Sequence, residues 1–292
     1  MPFLFHQNMR TFGGANAARN GAYLNAFTAI NQQIGLAGPL SVMGFTEIVN
    51  NGAALGALGP LANALSPGAG GILVACGITA LANGPEFVGI ATANGLAVLS
   101  VGRILLQAVQ GGIQLISDVS PAVPPPALWA ANLPPQATPD YRGVVYVVVA
   151  AGGTSVAVGY LHNLYTFQDQ RALVMGQIPN MMQIMASNPA MGPGGHVYLG
   201  GDFNVAPQNR GTNRTGIAYQ YSAAAPPNTL YQGATPGGTT WAGNLYDYWY
   251  TDMNPAGPPP APPFIIPVPA ATGITMDHNL MSDHCAIVLQ IA

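Results

Sequence analysis

Short runs of apolar residues recur along the whole chain, and many are unbroken rather than alternating with polar residues. The pattern predicts β-strands over residues 2–8, 40–47, 86–92, 95–103, 142–150, 155–162, 197–204, 245–251 and 285–291. Unbroken apolar runs are typical of strands that are buried on both faces of a sheet, whereas half-exposed strands alternate. Gly152 and Gly153 stand between two of these runs and indicate a hairpin turn.

Two segments have the spacing of apolar residues that is typical of helices. Residues 16–34 are rich in alanine, and residues 168–187 carry Leu173, Ile178, Met181 and Met185 at helical spacing. We expect these methionines to pack in the core rather than to bind a metal. We also expect Pro179 to break or kink the second helix, because proline removes a backbone donor and clashes with the preceding turn.

Residues 48–85 contain no charged side chain, which raises the question of a membrane-spanning segment. Glycine, proline and asparagine interrupt this stretch every few residues, and no unbroken run of about 20 strongly apolar residues occurs. We therefore expect buried structure within a soluble domain, and no stable insertion into a membrane.

Two proline-rich stretches stand out, with seven prolines in residues 121–139 and eight in residues 255–269. Such segments favour extended conformations that face the solvent, and they cannot join the centre of a sheet. They are either surface loops stiffened by proline or ligands for a proline-recognising module. Because predicted strands lie on both sides of each stretch, we expect a single domain over residues 1–292.

The chain carries unusually little charge. Only 6% of its residues are charged, compared with roughly 25% in an ordinary globular domain. All seven basic residues are arginines, there is no lysine, and the net charge is −3. This composition argues against a protein that binds nucleic acid tightly through many basic side chains. It leaves open an enzyme that holds phosphates through a metal ion.

The absence of lysine has two interpretations. It removes ubiquitin attachment sites, as would suit an effector or toxin delivered into eukaryotic cells, or it reflects the bias of a GC-rich genome. The first residues lack the basic and long apolar segments of a signal peptide, so cytoplasmic residence and non-classical export both remain open. Cys76 and Cys285 lie in apolar runs, and we expect two buried free thiols, with one disulfide as the alternative.

The strongest chemical signal is the segment Gly201-Asp202-Phe203-Asn204, which follows an apolar run. Asp202 and Asn204 are two residues apart and therefore lie on one face of an extended segment. A carboxylate beside an amide can hold a hard cation and a phosphoryl oxygen together. The alternative is a turn in which the aspartate side chain caps the backbone.

The second signal is Ser282-Asp283-His284, which directly precedes the last apolar run. Histidine moves protons near neutral pH, and a carboxylate partner fixes its tautomer and raises its basicity. The alternative is a capped strand start. His278 has similar neighbours, but no predicted strand follows it directly.

In this combination and order, the two motifs resemble those of the endonuclease/exonuclease/phosphatase superfamily. That superfamily includes pancreatic-type deoxyribonucleases, abasic-site endonucleases, neutral sphingomyelinases, inositol polyphosphate phosphatases and the nuclease subunit of cytolethal distending toxin. The other motif positions of the superfamily are matched here, in order, by Asn8, Glu47, Glu86, His162 and Asp247. The superfamily usually has glutamine before its metal-binding glutamate, and Thr46 departs from that pattern. The presence of His162 and Glu86 resembles the deoxyribonuclease and distending-toxin branch.

The resemblance implies a deoxyribonuclease I-like fold, a four-layer α/β sandwich of two packed, mostly antiparallel sheets flanked by helices. It implies in-line attack of water on a phosphodiester, with Mg²⁺ (or Mn²⁺ or Ca²⁺) as cofactor and DNA as substrate. Glu47 is the implied metal ligand, and Asn8, Asp202 or Asp283 would complete the metal site. A phospholipid or sphingomyelin phosphodiesterase, another phosphoesterase and a non-enzymatic binding protein on the same scaffold are the alternatives.

The resemblance also implies catalytic roles. Asn204 would hold a phosphoryl oxygen, and His284, oriented by Asp247, would act as general base or stabilise the charged transition state. His162, supported by Glu86, would act as general acid. The candidate phosphate-binding residues are Arg10, Arg210 and Arg214, with Arg171 as a further one and solvated loop arginines as the alternative.

Overall fold

The apolar strands form two β-sheets that pack face to face in a computed structural model of the chain. The structure describes residues 3–34, 38–49, 51–81, 84–121, 141–163, 168–206, 212–213, 219–222, 239–240, 242, 244–252, 264–265 and 280–291. In chain order the elements are β1 (Phe3–Phe12), α1 (Ala17–Ile34), β2 (Leu40–Ile48), α2 (Asn51–Leu65), β3 (Gly70–Leu81), β4 (Gly84–Thr92), β5 (Val98–Val109), β6 (Gly112–Pro121), β7 (Tyr141–Ala151), β8 (Thr154–His162), α3 (Gln168–Gly176), α4 (Ile178–Ala186), β9 (His196–Asp202), β10 (Thr212–Asn213), β11 (Tyr219–Ser222), β12 (Asp247–Thr251), β13 (Phe264–Ile265) and β14 (Ile287–Gln290).

Each sheet contains one parallel pair of strands among antiparallel ones. The six-stranded sheet has the order β13-β14-β1-β2-β4-β3, and the eight-stranded sheet has the order β10-β11-β12-β9-β8-β7-β5-β6. The parallel pairs are β1 with β2 and β8 with β9. In both pairs the carboxyl ends of the strands lie at one edge of the sheet, where polar residues follow the apolar runs.

The side chains of β7 divide alternately between two hydrophobic clusters. Val145 and Val147 belong to the cluster between the sheets, which also includes side chains of α1 and α2. Val144 and Val148 belong to the cluster between the eight-stranded sheet and α4. Both faces of this strand are therefore buried, as its unbroken apolar run predicts. The layers confirm the expected α/β sandwich of two mostly antiparallel sheets flanked by helices.

Close contact between the sheets depends on a glycine. A Cβ atom at Gly44 of β2 would lie 2.2 Å from the ring of Tyr160 in β8. The Tyr160 hydroxyl donates to the Val42 carbonyl oxygen at 3.2 Å, so the ring spans the interface and reaches the facing strand. Substitution at Gly44 would separate the two strands that carry Glu47 and His162 at their ends.

Most of the predicted elements are present, and the helical segment at 168–187 is divided as expected. α3 ends at Gly176, and α4 begins at Ile178 with Pro179 in its first turn. Proline is tolerated in the first turn, because the backbone N–H groups there have no partner within the helix. The predicted strand at 95–103 begins later and runs longer, as β5.

Three longer elements had not been predicted: α2, β3 and β6. α2 contains glycines and Pro60, which mask its helical pattern, yet Leu58, Leu61 and Leu65 are buried on one face.

Within the described part of residues 48–85, the uncharged sequence forms α2 and β3. None of the described helices is both long and apolar enough to span a membrane. Residues 122–139 and most of 255–269 lie outside the described residues.

The two cysteines are free and buried, as expected. Burial in apolar surroundings raises the pKa of the Cys76 thiol well above its usual value. The Cys76 sulfur lies 3.5 Å from the Glu86 carbonyl oxygen, to which it donates. This thiol therefore stays protonated and unreactive at neutral pH.

Candidate active site

The ends of several strands from both sheets meet around one cavity of about 370 Å³. The cavity lies at the carboxyl ends of β1, β2, β8 and β9. Residues just before β14 form another of its walls. The cavity is lined by Arg10, Thr11, Glu47, Arg142, His162, Asp202, Asn204, Thr240, Ala242, Asn244, Tyr246, Asp283 and His284. The structure thus brings together residues that are widely separated in sequence.

Asp202, the last residue of β9, is buried at the centre of this group. Its Oδ1 accepts a hydrogen bond from the Asn204 backbone N–H at 2.9 Å. Its Oδ2 accepts from Asn8 Nδ2 at 2.9 Å and from Asn204 Nδ2 at 3.3 Å. Gly201 permits this placement, because a Cβ there would lie 1.9 Å from the Leu161 carbonyl oxygen of β8.

His284 forms a buried pair with Asp247, the first residue of β12. Its Nδ1 lies 2.9 Å from Asp247 Oδ2, and its Nε2 lies 3.5 Å from Asp202 Oδ2. Burial disfavours the charged ring, but the carboxylates of Asp247 and Asp202 outweigh it and raise the pKa of His284 to about 10. The ring is therefore protonated at neutral pH in the metal-free protein.

His162, the last residue of β8, forms a second pair with Glu86 of β4. Its Nδ1 lies 2.7 Å from Glu86 Oε1. Its Nε2 lies 3.6 Å from Asp202 Oδ2 and 3.9 Å from Glu47 Oε2. Burial and the Arg142 guanidinium lower the pKa of His162, but Glu86 and Glu47 outweigh them, and the net shift is upward.

Arg142 is a site residue that the sequence had not indicated. Its Nε lies 2.7 Å from Glu86 Oε2, and its side chain is only 13% exposed. Its Nη1 lies 3.3 Å from His162 Nε2 and donates to the Asn163 carbonyl oxygen at 3.1 Å. Arg142 lies near the start of β7, directly after the proline-rich stretch, and belongs to no sequence motif. It reaches the cavity because β7 pairs with β8, the strand that carries His162.

The backbone around the cavity is strained. Among the described non-glycine residues, positive φ angles occur at Arg10 (47°), Thr11 (54°), Glu47 (58°) and Asn204 (51°). All four line the cavity. Each such residue costs about 1–3 kcal/mol and persists only where the surrounding structure holds it, which is common at functional sites.

The oxygen donors fit a hard divalent cation. Glu47 is partly exposed to the cavity, and its Oε1 accepts a hydrogen bond from Thr11 Oγ1 at 2.8 Å. Glu47 and Asp202 both lie within 4 Å of the same His162 nitrogen, which places the two carboxylates on one wall. Carboxylate and amide oxygens are the ligands that Mg²⁺ and Ca²⁺ prefer. Asp283 also lines the cavity, with its Oδ1 3.8 Å from Arg10 Nε.

Asp202, Asp247 and His284 also offer ligand atoms that lie within 4.8 Å of one another. We regard these three residues as a hydrogen-bonded proton site rather than a metal site. His284 Nδ1 is already bound to Asp247, and a ring with a raised pKa is a poor ligand because metals bind neutral imidazole.

The candidate phosphate-binding arginines have different positions. Arg10 lines the cavity and is 44% exposed. Arg171 Nη1 donates to the Asn204 carbonyl oxygen at 2.9 Å, so this arginine holds the strained backbone rather than lining the cavity. Arg210 and Arg214 lie outside the described residues, as does His278.

His6 of β1 lies behind the Asp247–His284 pair and had not been identified from the sequence. It is fully buried, its Nε2 lies 3.1 Å from Thr46 Oγ1, and its Nδ1 lies 3.8 Å from Asp247 Oδ1. Thr46, which stands where the superfamily usually has glutamine, thus pairs with a histidine. Burial lowers the pKa of His6 to about 3, and His284 and His162 add to this effect against the attraction of Asp202.

The buried neutral His6 makes the metal-free protein sensitive to acid. Its pKa rises from about 3 to its ordinary 6.5 on unfolding, so its contribution to stability is present above pH 6.5 and is lost as pH falls towards 3. We expect His6→Gln to reduce the loss in unfolding free energy between pH 7 and pH 5 by about 2 kcal/mol. Urea unfolding in EDTA at both pH values measures this, and equal losses in parent and variant would contradict it.

Comparisons with known proteins identify the fold. No protein-family model and no curated protein matches the sequence. A mannosyl-6-phosphatase from Bacteroides thetaiotaomicron aligns over 100% of both chains at 15% identity, with a TM-score of 0.57. An endonuclease/exonuclease/phosphatase family protein from the same bacterium aligns over 99% of this chain and 98% of its own at 15% identity, with a TM-score of 0.54. The human Nocturnin catalytic domain, with bound sulfate, aligns over 98% of this chain and 92% of its own at 13% identity, with a TM-score of 0.55.

Proposed function

We propose that this chain, which has the endonuclease/exonuclease/phosphatase fold, is a divalent-metal-dependent phosphodiesterase. One observation carries the proposal: two buried carboxylate–histidine pairs converge on the same oxygen. The Nε2 atoms of His284 and His162 lie 3.5 and 3.6 Å from Asp202 Oδ2. Phosphodiester hydrolysis needs proton transfer at both the attacking and the leaving oxygen, together with stabilisation of the charge on the phosphoryl group. A carboxylate between two histidines supplies groups for all three needs.

Each pair suits a different step. With its pKa raised to about 10, His284 is charged and suits the stabilisation of negative charge on the phosphoryl oxygens better than the removal of a proton. Asp202 is the carboxylate nearest both rings and is placed to accept the proton of the attacking water. His162, with a raised pKa and support from Glu86, holds the proton that the leaving oxygen takes up.

The metal ion would be held by Glu47 with Asn8, Asp202 or Asp283, and Mg²⁺, Mn²⁺ or Ca²⁺ all accept such donors. When bound, the ion neutralises developing charge and lowers the pKa of coordinated water. Asn204 Nδ2 donates to the Asn163 carbonyl oxygen at 2.9 Å and to Asp202 Oδ2 at 3.3 Å. To hold a phosphoryl oxygen, the amide would exchange the longer of these two bonds for one to the substrate.

We propose DNA as the substrate. The His162–Glu86 pair resembles the deoxyribonuclease and distending-toxin branch, and Arg10 and Arg142 supply positive charge at the cavity. Because the protein is poor in basic side chains, we expect weak, transient contacts with the flanking phosphates rather than tight binding.

A substrate panel tests the proposal. Supercoiled plasmid, single-stranded RNA, sphingomyelin vesicles and a sugar phosphate are each incubated with the protein in Mg²⁺ or in EDTA. We expect Mg²⁺-dependent nicking of the plasmid and little turnover of the others. Turnover of the lipid or the sugar phosphate alone would identify that compound, rather than DNA, as the substrate class. If none of the four compounds is turned over in a metal-dependent way, the proposal that the protein is an enzyme is wrong.

A further inference from the structure

One cation near the cavity has no role in the proposed chemistry. Arg19 lies in the first turn of α1, and its backbone N–H donates at 3.0 Å to Asn16 Oδ1, which caps the helix. Its Nη2 lies 2.7 Å from the Met9 carbonyl oxygen, 2.6 Å from that of Met281 and within hydrogen-bonding distance of that of Arg10, so its two hydrogens are shared among three acceptors. A single guanidinium nitrogen therefore holds backbone from two distant parts of the chain.

Both parts carry residues of the candidate site. Met9 follows Asn8 and precedes Arg10, where the backbone is left-handed. Met281 precedes Ser282, whose Oγ accepts the backbone N–H of His284 at 3.1 Å. The guanidinium thus ties the end of β1 to the segment that carries the catalytic histidine.

The strained turn is also linked to the candidate metal ligand. Arg19 Nη1 approaches the Thr11 carbonyl oxygen at 3.5 Å, and Thr11 Oγ1 donates to Glu47 Oε1 at 2.8 Å. Thr11 and Glu47 both have positive φ angles, so their geometry depends on such external contacts. Moving the Thr11 carbonyl would shift the side chain that orients Glu47.

Aromatic rings fix the guanidinium in place. Its carbon lies 5.9 Å from the ring centres of both Phe12 and Tyr23. Tyr23, one turn further along α1, donates from its hydroxyl to the Met9 carbonyl oxygen at 3.2 Å. Lysine cannot reproduce this arrangement, because its side chain is one bond shorter and would place the ammonium group near the position of the guanidinium carbon, short of Nη2. It also lacks the planar group that lies against the rings.

We propose that Arg19 is a positioning residue that holds the Asn8–Thr11 and Met281–His284 segments in register for metal binding and catalysis. This inference rests on the proposed function. Arg19 acts through the backbone of these segments and touches neither the substrate nor the reacting atoms. Its loss would let the strained turn at Arg10 and Thr11 relax, and would move Glu47 and His284 apart.

The test compares Arg19→Lys and Arg19→Ala with a control in the same helix. We expect both variants to lower kcat by about 10- to 100-fold with little change in KM, and to weaken Mn²⁺ binding by a similar factor. Free guanidinium, well below denaturing concentrations, should restore activity to Arg19→Ala and leave the Arg19→Lys variant impaired. Ile30→Ala is the control, since Ile30 is buried in α1 two turns beyond Tyr23 and its apolar side chain makes no hydrogen bond to either segment.

The outcomes separate positioning from general stability. If Ile30→Ala, at an equal loss of stability, lowers kcat and Mn²⁺ affinity as much as Arg19→Ala, the positioning role is wrong. The positioning role is also wrong if free guanidinium restores neither the activity nor the Mn²⁺ binding of Arg19→Ala. If the parent protein turns over no phosphoester, the proposed function fails, and Mn²⁺ affinity followed by electron paramagnetic resonance still decides on Arg19. Unchanged affinity in Arg19→Ala would then overturn the inference.

Discussion

Replacing His284 with alanine is expected to lower kcat for phosphodiester hydrolysis by about 10³- to 10⁴-fold, because the charged ring lies at the cavity centre and stabilises negative charge on the phosphoryl oxygens. Its Nε2 lies 3.5 Å from Asp202 Oδ2, and Asp247 holds its other nitrogen at 2.9 Å. Single-turnover cleavage of an oligonucleotide at saturating Mg²⁺ measures the chemical step without interference from product release.

The alanine variant also leaves the Asp247 carboxylate buried without its partner, which costs stability. His284→Gln keeps the side-chain volume and a donor, and it separates this effect from catalysis. Both variants should be inactive while their far-ultraviolet circular dichroism stays that of the parent. Turnover within about 10-fold of the parent in His284→Gln would contradict a catalytic role for the ring.

Replacing Asp202 with asparagine is expected to reduce kcat by about 10³-fold and to weaken Mg²⁺ binding, since the change removes the negative charge between the two histidines. Asparagine also presents a donor to the Asn8 and Asn204 amides, which donate to Asp202 Oδ2 in the parent. The loss should therefore appear both in turnover and in metal titration by calorimetry.

Asp252→Asn is the matched control for this substitution. Asp252 directly follows β12 of the eight-stranded sheet and is 27% exposed, whereas Asp202 is buried, and Asp252 Oδ1 accepts the Val197 backbone N–H at 2.9 Å. Val197 is the second residue of β9 and Asp202 the last, so the control contacts the far end of the same strand. Equal losses of kcat in the two variants would show that Asp202 acts through folding rather than through chemistry.

The fold could be predicted largely because its strands are buried on both faces. Residues Val144–Val149 form an unbroken apolar run. Their side chains divide between two hydrophobic clusters, so apolar residues do not alternate with polar ones. α2 could not be predicted, because Gly52, Gly56 and Pro60 lower its helical propensity and only packing of its leucines stabilises it. β6 was missed because Gly112 opens it and much of it is only partly buried.

The motif residues of the site could be predicted because they follow or precede apolar runs. Glu47, His162 and Asp202 lie at the carboxyl ends of β2, β8 and β9, whereas Asn8 lies within β1 and His284 shortly before β14. Asn8, Glu47, His162, Asp202 and His284 come together once the two parallel pairs share one edge. Arg142, Arg19 and His6 could not be predicted in this way. Their contacts depend on which strands and helices neighbour one another in space, and no spacing along the chain encodes that order. The roles assigned to the motif residues stay predictions.

Nicking of supercoiled plasmid is the most direct measurement of metal-dependent phosphodiester hydrolysis at this cavity. Parent protein, His284→Gln and Asp252→Asn are compared at equal concentration in Mg²⁺ and in excess EDTA. The proposed chemistry predicts nicking by the parent and by Asp252→Asn in Mg²⁺ alone, with His284→Gln inactive under both conditions. Nicking that persists in EDTA, or that His284→Gln retains at the parent's rate, would contradict it.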